Sequence, residues 1–252
     1  MRSDGESFVL KLWPNAESAG EIAAYRLLGQ LGVPTIRVLG TTESALLLED
    51  LATSPRWRLA VDDDLDRPGA VEGLADWYRR LHAAGATPEA GLADLPGEYD
   101  GLSVEALRRT GAFLDLGRES AWARATAELG RLLDANRRLP QTLIYHDFHV
   151  SNVAVARTGP PAAVMIDFHL LRSGTRAGDL RNVTSQLGPA ARRIFRERYG
   201  PITRSETIID APLATIGALC GVDPSLPRLP RWARALRDEV LDGTLDHQLD
   251  SA

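Results

Sequence analysis

Apolar and polar positions alternate over Ser7–Trp13 (SFVLKLW), which predicts a strand carrying Lys11. Pro14 and Asn15 break it. From Ser18 to Leu31 the period changes to a helical one, with Ile22, Tyr25, Leu28 and Leu31 roughly on one face, and Gly32 and Pro34 stop it. TIRVLG and ALLLEDL then predict two short strands joined by a hairpin over Thr41–Ser44. The first fifty residues thus read strand, helix, strand, strand. The next stretch, SPRWRLAVDDDLDRPG, is polar and broken by two prolines, and the lobe boundary is expected there. It divides the chain into residues 1–52 and 53–252.

Beyond it, Ala70–Ala84 has a helical pattern and Glu105–Arg138 holds one or two more helices. TLIYHDFHVSNVAV and AAVMIDFHLL are two short apolar runs interrupted by charged residues and histidines. The turn RTGPP separates them, which predicts a small hairpin with polar groups at its ends. After Gly188 helices return, at Pro189–Tyr199, around Ile208–Leu219, and at Pro230–Leu241.

Composition narrows the function classes. The 29 basic and 34 acidic residues leave a net charge of -5, which argues against nucleic acid or an anionic membrane as the main partner. Cys220 is the only cysteine, so neither an internal disulfide nor a thiolate metal cage is available. No apolar run approaches the about 20 residues that a membrane helix needs, and the N-terminus shows no signal-peptide pattern; a cytoplasmic setting is expected. Positive charge comes from 28 arginines and a single lysine, Lys11. Against that background the one lysine stands out.

A second stretch carries chemistry. YHDFHVSN places Asp147 five residues before Asn152, and fifteen residues later IDF supplies Asp167. Phosphoryl transfer needs a carboxylate to orient and deprotonate a hydroxyl, hard oxygen ligands for Mg²⁺, and a cation on the nucleotide phosphates. A lysine on a strand supplies that cation as a compact charge with flexible reach.

From Phe8 to Asn182 the chain resembles the aminoglycoside phosphotransferase and choline kinase family, small-molecule relatives of the protein kinases. The pieces are FVLKLW, EIAAYRLL, LLLEDL, WYRRLH, YHDFHVSNVAV, MIDFH and GDLRNV, in the family's order. The resemblance implies an α+β, two-lobed protein-kinase-like fold, with a shortened N-terminal sheet lobe and a mostly helical C-terminal lobe. It implies transfer of the γ-phosphoryl group of ATP or GTP, with Mg²⁺, to a hydroxyl of a small-molecule acceptor. Aminoglycosides, other antibiotics and metabolites all stay open as acceptors, and antibiotic resistance is one role among these. Lys11 is implied to hold the α- and β-phosphates and Glu21 to hold Lys11. Backbone groups of Glu49 and Leu51 are implied to meet the adenine edge. Asp147 is the implied catalytic base, and Asn152 and Asp167 the metal ligands. Asp179 follows Asp167 by twelve positions, too few for the activation segment of a protein kinase.

Two departures stand beside this. Tyr145 occupies the place where the family usually has histidine, and His146 comes one residue later. Only ten residues, with one glycine (Gly5), precede Lys11, too few for a glycine-rich hairpin over the phosphates. Either the start lies upstream, or the phosphates are covered differently, or nucleotide binding is impaired. The alternative is therefore a catalytically impaired kinase-fold binding protein.

Several residues have plainer readings. Lys11 could guard a strand edge. Glu21 could close a capping box with Ser18, and Glu17 is the runner-up as lysine partner. Asp147, Asn152 and Asp167 could be turn residues. His82, Trp77 and Tyr78 read as packing residues, Asp179 as a brace for the catalytic loop, and the acidic tail RDEVLDGTLDHQLD as a solvated helix face. A zinc hydrolase built on His146, His149 and His169 is the rival enzyme class.

Overall fold

The computed structural model describes residues 2–3, 6–15 and 19–252. The chain forms two compact units, one of residues 1–95 with 142–201, the other of residues 96–141 with 202–252. Gly5, Glu17 and Ser18, and with them the second lysine partner and the capping-box reading, lie outside the described residues.

The first unit opens with a four-stranded antiparallel sheet. Its strands are β1 (Arg2–Ser3), β2 (Glu6–Leu12), β3 (Val38–Thr41) and β4 (Ala45–Glu49), in the order β1-β2-β4-β3. β2 and β4 pair with Lys11 opposite Leu46 and Phe8 opposite Glu49. The two-residue β1 adds a short hairpin arm that the periodicity did not predict. Helix α1 (Gly20–Gln30) buries Ile22, Ala24, Tyr25 and Leu28 as its spacing dictates, and it also buries Glu21. Apolar burial of a leucine is worth about 2 kcal/mol, whereas burial of a carboxylate costs several unless it is paired.

The polar stretch after Leu51 is less empty than its composition suggests. It forms β5 (Trp57–Leu59) and a 3-10 turn at Asp62–Asp66. β5 joins the predicted hairpin of β7 (Val153–Ala156) and β8 (Ala163–Met165) to give a sheet ordered β5-β7-β8. β6 (Thr142–Ile144) does not enter that hairpin. It pairs with β9 (Arg172–Gly174), because the loop between Tyr145 and Asn152 turns the chain away. Arg58 on β5 forks onto Asp64 at 2.6 and 2.7 Å, and the Val61 N–H adds a third bond at 2.9 Å, which fastens the 3-10 turn to the strand.

Helix α2 (Pro68–Gly85) lies under these strands, started by Pro68 in its first turn, where a missing N–H is harmless. A β-carbon on Gly85 would sit 2.2 Å from the Leu143 nitrogen, so α2 reaches β6 at backbone distance. The indole N–H of Trp77 donates to the Pro34 carbonyl at 2.7 Å and fixes α2 to the segment after α1. Helix α5 (Arg176–Gln186) follows β9, and α6 (Pro189–Tyr199) packs on α2.

The second unit is helical: α3 (Val104–Phe113), α4 (Ser120–Arg137), α7 (Arg204–Cys220), α8 (Arg231–Leu241) and α9 (Thr244–Ser251). Its core includes Leu107, Trp122, Leu132, Leu213 and Ile216. The acidic tail is two helices rather than one. Gly243, at φ 86°, breaks the chain, and Leu245 and Leu249 at i and i+4 turn α9 into this core.

Gly85→Ala should lower thermal stability by about 1–3 kcal/mol through overpacking against β6. Gly130, exposed within α4 with nothing near its missing β-carbon, is the control: its alanine variant should gain about 1 kcal/mol from helix propensity. Thermal unfolding of the two variants checks both signs.

The Arg58 guanidinium holds the Asp64 carboxyl below the ordinary carboxylate range. A carboxylate lowered on folding contributes stability that is complete above its unfolded pKa, near about 4, and is lost as pH falls through the folded value. Asp64→Asn should therefore cost about 2 kcal/mol at neutral pH. The difference from wild type should shrink in melts taken progressively below about pH 4.

Candidate active site

The site is assembled from β2, α1 and the two turns that leave β6 and β8. Lys11 points from β2 toward α1. Its ammonium donates to both Glu21 oxygens, at 2.7 Å (Oε1) and 2.8 Å (Oε2). Glu21 is 3% exposed and Lys11 31%. The same Glu21 Oε1 accepts the Phe168 N–H at 3.3 Å, and Lys11 Nζ lies 3.5 Å from Asp167 Oδ1. One lysine thus meets the first helix and the turn after β8.

Around this pair the aromatic rings interlock. Phe168 meets Tyr25 edge-on at 4.8 Å and Tyr145 at 5.7 Å, and stacks on Trp77 at 6.2 Å. Trp77 meets Tyr145 edge-on at 5.8 Å. Edge-on pairs place the positive ring edge on the negative face. Burial and the nearby Glu21 charge push the Tyr25 hydroxyl far above its ordinary pKa, so it remains neutral.

The turns that leave β6 and β8 both carry strain. His146 has φ 66° and Asp167 φ 63°, both in the left-handed region that non-glycine residues rarely occupy. Asp179 on α5 holds the first of these turns. Its Oδ2 accepts the Tyr145 N–H and its Oδ1 the His146 N–H, each at 2.7 Å. Asn182 Nδ2 donates to the His146 carbonyl at 3.2 Å, and the Gln186 side-chain amide donates to the Phe148 carbonyl. His82 Nε2 adds a contact to Asp179 at 3.1 Å, and its Nδ1 meets the Tyr199 hydroxyl at 2.7 Å. A carboxylate can only accept, so the His82 Nε2 that faces Asp179 carries a proton. His82 packs, as its helical position suggests, and it also completes the bracing of the loop.

Burial pushes the pKa of His146 below its ordinary value, which keeps the ring neutral beside Asp147. Asn152 closes the loop: its Nδ2 donates to the Asp147 carbonyl at 3.1 Å and to Asp147 Oδ2 at 3.0 Å. That leaves Asn152 Oδ1 as an acceptor. His149 Nε2 stands 3.7 Å from Asp147 Oδ1, and His169 Nδ1 2.8 Å from Asp167 Oδ1. Among the described residues no three His, Cys, Asp or Glu side chains are grouped to hold a metal ion.

A cavity of about 450 Å³ opens beside these groups, within the range of small-molecule sites. Lys11, Asn152 and Asp167 line it, as do Glu49 and Leu51. Val9, Ile36, Leu48 and Ile166 give it apolar walls. Asp147 is not among the lining residues; it connects to the cavity through Asn152. Tyr25 and Arg157 are among the lining residues that carried no signal in the sequence. Tyr25 reads simply as a core position, and Arg157 sits in a polar turn among many other arginines.

The sequence matches the phosphotransferase enzyme family over residues 2–207. A search among curated proteins returns no match. Among solved structures, choline kinase LicA from Streptococcus pneumoniae is similar over 98% of this chain and 88% of its own, with a TM-score of 0.61 and 12% identity. Macrolide 2'-phosphotransferase MphH from Brachybacterium faecium is similar over 94% and 83%, with a TM-score of 0.54 and 18% identity. The AMP-bound spectinomycin phosphotransferase APH(9)-Ia is similar over 99% and 83%, with a TM-score of 0.56 and 18% identity. At such identities the likeness is one of fold, an α+β kinase-like architecture of two lobes. Among the described residues no helix is long and apolar enough to cross a membrane. With the family match extending over most of the sequence, the chain belongs to the phosphotransferase enzyme family.

Proposed function

We propose that this chain transfers the γ-phosphoryl group of a purine nucleoside triphosphate to a hydroxyl of a small molecule, with Asp147 as general base. Residues 1–52 are assigned as the lobe that holds the nucleotide and 53–252 as the catalytic and acceptor lobe. The observation that carries the reading is the meeting of Lys11, Asn152 and Asp167 on one cavity that is otherwise largely apolar. An apolar slot with a cation and hard oxygens along its lining suits a flat base joined to phosphates. The AMP bound to the spectinomycin enzyme supports a nucleotide in this fold. The choline and macrolide enzymes support a small hydroxyl acceptor.

Each group has a role that its contacts allow. Lys11, held by Glu21, offers positive charge to the phosphates. Asn152 Oδ1 and the Asp167 carboxylate are hard oxygen donors and fit Mg²⁺, which they would hold. When bound, that ion neutralises charge on the phosphates. Asp147 takes the proton from the acceptor hydroxyl. The hydroxyl oxygen then forms a bond to the γ-phosphorus as the bond from phosphorus to the β,γ-bridging oxygen breaks, leaving the diphosphate. Asn152 keeps Asp147 Oδ2 engaged, so Oδ1 is the basic atom.

Asp147→Asn should reduce kcat by about 10²- to 10⁴-fold while nucleotide affinity, read by calorimetry with Mg²⁺, changes by less than about threefold. Full turnover in this variant would remove Asp147 from the role.

Lys11→Ala should weaken ATP binding by about 10- to 100-fold, a loss of one charge-assisted contact in a partly buried site. Glu21→Ala should fall short of Lys11→Ala, and the double variant should lose no more than Lys11→Ala alone, because Glu21 acts through the lysine. Strictly additive losses would separate the two residues.

A further inference from the structure

The strand exit from Leu48 to Ala52 lines the cavity, and its backbone groups are unequally engaged. The Glu49 N–H donates to the Arg37 carbonyl at 3.0 Å. The Arg37 N–H, facing back, goes to Glu49 Oε1 at 2.6 Å rather than to the Glu49 carbonyl. The Leu51 carbonyl accepts Arg157 Nη2 at 2.8 Å. The same guanidinium reaches the Ala52 carbonyl at 3.3 Å and, through Nε, the Trp57 carbonyl at 2.9 Å. Its own backbone N–H is tied to the Arg56 carbonyl at 2.8 Å. Arg157 is thus pinned along the strand exit, and it lines the cavity itself.

Given the phosphotransferase reading, this geometry sets which purine fits. Adenine presents a donor, its 6-amino group, beside an acceptor, N1. The Glu49 carbonyl and the Leu51 N–H are the matching acceptor and donor. Guanine presents an acceptor, O6, followed by two donors, N1–H and the 2-amino group. With O6 on the Leu51 N–H, both donors turn toward the Leu51 carbonyl. There they meet the guanidinium, which has donors and no acceptor. An unmatched donor pressed against a cation is a repulsive element of the kind that creates specificity.

We propose that Arg157 makes the site selective for ATP over GTP by covering the Leu51 carbonyl that guanine needs. It is a positioning and specificity residue, remote from the transferred phosphoryl group. Calorimetric titration of the full chain with ATP and GTP, both with Mg²⁺, tests it. Wild type should bind ATP about 10- to 100-fold more tightly than GTP, the range expected for leaving a donor unpaired. Arg157→Met, which keeps the stem and removes the donors, should narrow that ratio at least about fivefold, mainly through tighter GTP. Arg157→Lys, with a cation in place, should keep most of it. Equal affinity of wild type for the two nucleotides overturns the proposal, and that arm does not depend on any variant folding. An unchanged ratio in Arg157→Met, with both affinities lowered together, marks a merely structural arginine and also overturns it. Binding of neither nucleotide to wild type removes the phosphotransferase reading, and this inference with it.

Discussion

The site depends on a carboxylate placed where water cannot reach it. Glu21 is buried in α1, and its desolvation would cost several kcal/mol without compensation. Two bonds from the Lys11 ammonium and one from the Phe168 N–H supply that compensation. The three residues come from β2, α1 and the turn after β8, so none can move without leaving a buried charge unsatisfied. The pair therefore acts as a registry device more than as a source of stability: it is worth little net, yet its loss is costly. The aromatic rings of Tyr25, Trp77, Tyr145 and Phe168 fill the space behind it and pass this constraint to the loop from Tyr145 to Asn152.

That loop is strained and over-determined. Backbone in the left-handed region at His146 and Asp167 costs on the order of 1 kcal/mol or more at each residue and persists only where the surroundings enforce it. Asp179 enforces it at His146, holding two consecutive N–H groups; His82 holds Asp179 in turn, and Tyr199 holds His82. At Asp167 the enforcement comes from the next residue, whose N–H is bound to Glu21 and whose ring is packed against Tyr25, Trp77 and Tyr145. One strained position directly precedes Asp147 and the other is Asp167 itself. A loop built this way presents its carboxylates in one arrangement, which suits chemistry that needs positioning more than flexibility.

Much of the fold was legible because amphipathic period and turn residues are local properties. The strands around Lys11, helix α1 and the β7–β8 hairpin follow directly from them. Apart from the local β1 arm, the misses involve partners distant in sequence. β6 reads as part of the hairpin until β9, some thirty positions on, is seen to pair with it. β5 hides in a polar stretch because an antiparallel edge strand needs only one apolar face, here Trp57. α9 reads as a solvated acidic face because two leucines per eight residues suffice to dock a short helix. At the site, residue order singled out Lys11, Glu21, Asn152 and Asp167, and the structure brings these groups together. Arg157 and Tyr25 were not legible, since their roles are set by what stands across the cavity.

The single lysine can now be argued from donor geometry. An ammonium has three N–H donors arranged around a point. Two of them engage the Glu21 oxygens, and the third is left on the side where Asp167 stands at 3.5 Å. A guanidinium forked onto Glu21 would match the carboxylate equally well, as Arg58 does on Asp64. Its remaining donors, however, would stay in the plane of the fork and take up its width. In a slot walled by Val9, Ile36 and Ile166, that plane would occupy space that the proposed nucleotide needs. Arginine serves where a carboxylate or a row of carbonyls is to be clamped, as at Asp64 and along Leu51–Trp57. Lysine serves where a buried acid must hold the cation and one donor must still be offered to a ligand. A chain that uses 28 arginines can dispense with lysine everywhere except at the position where those two demands coincide.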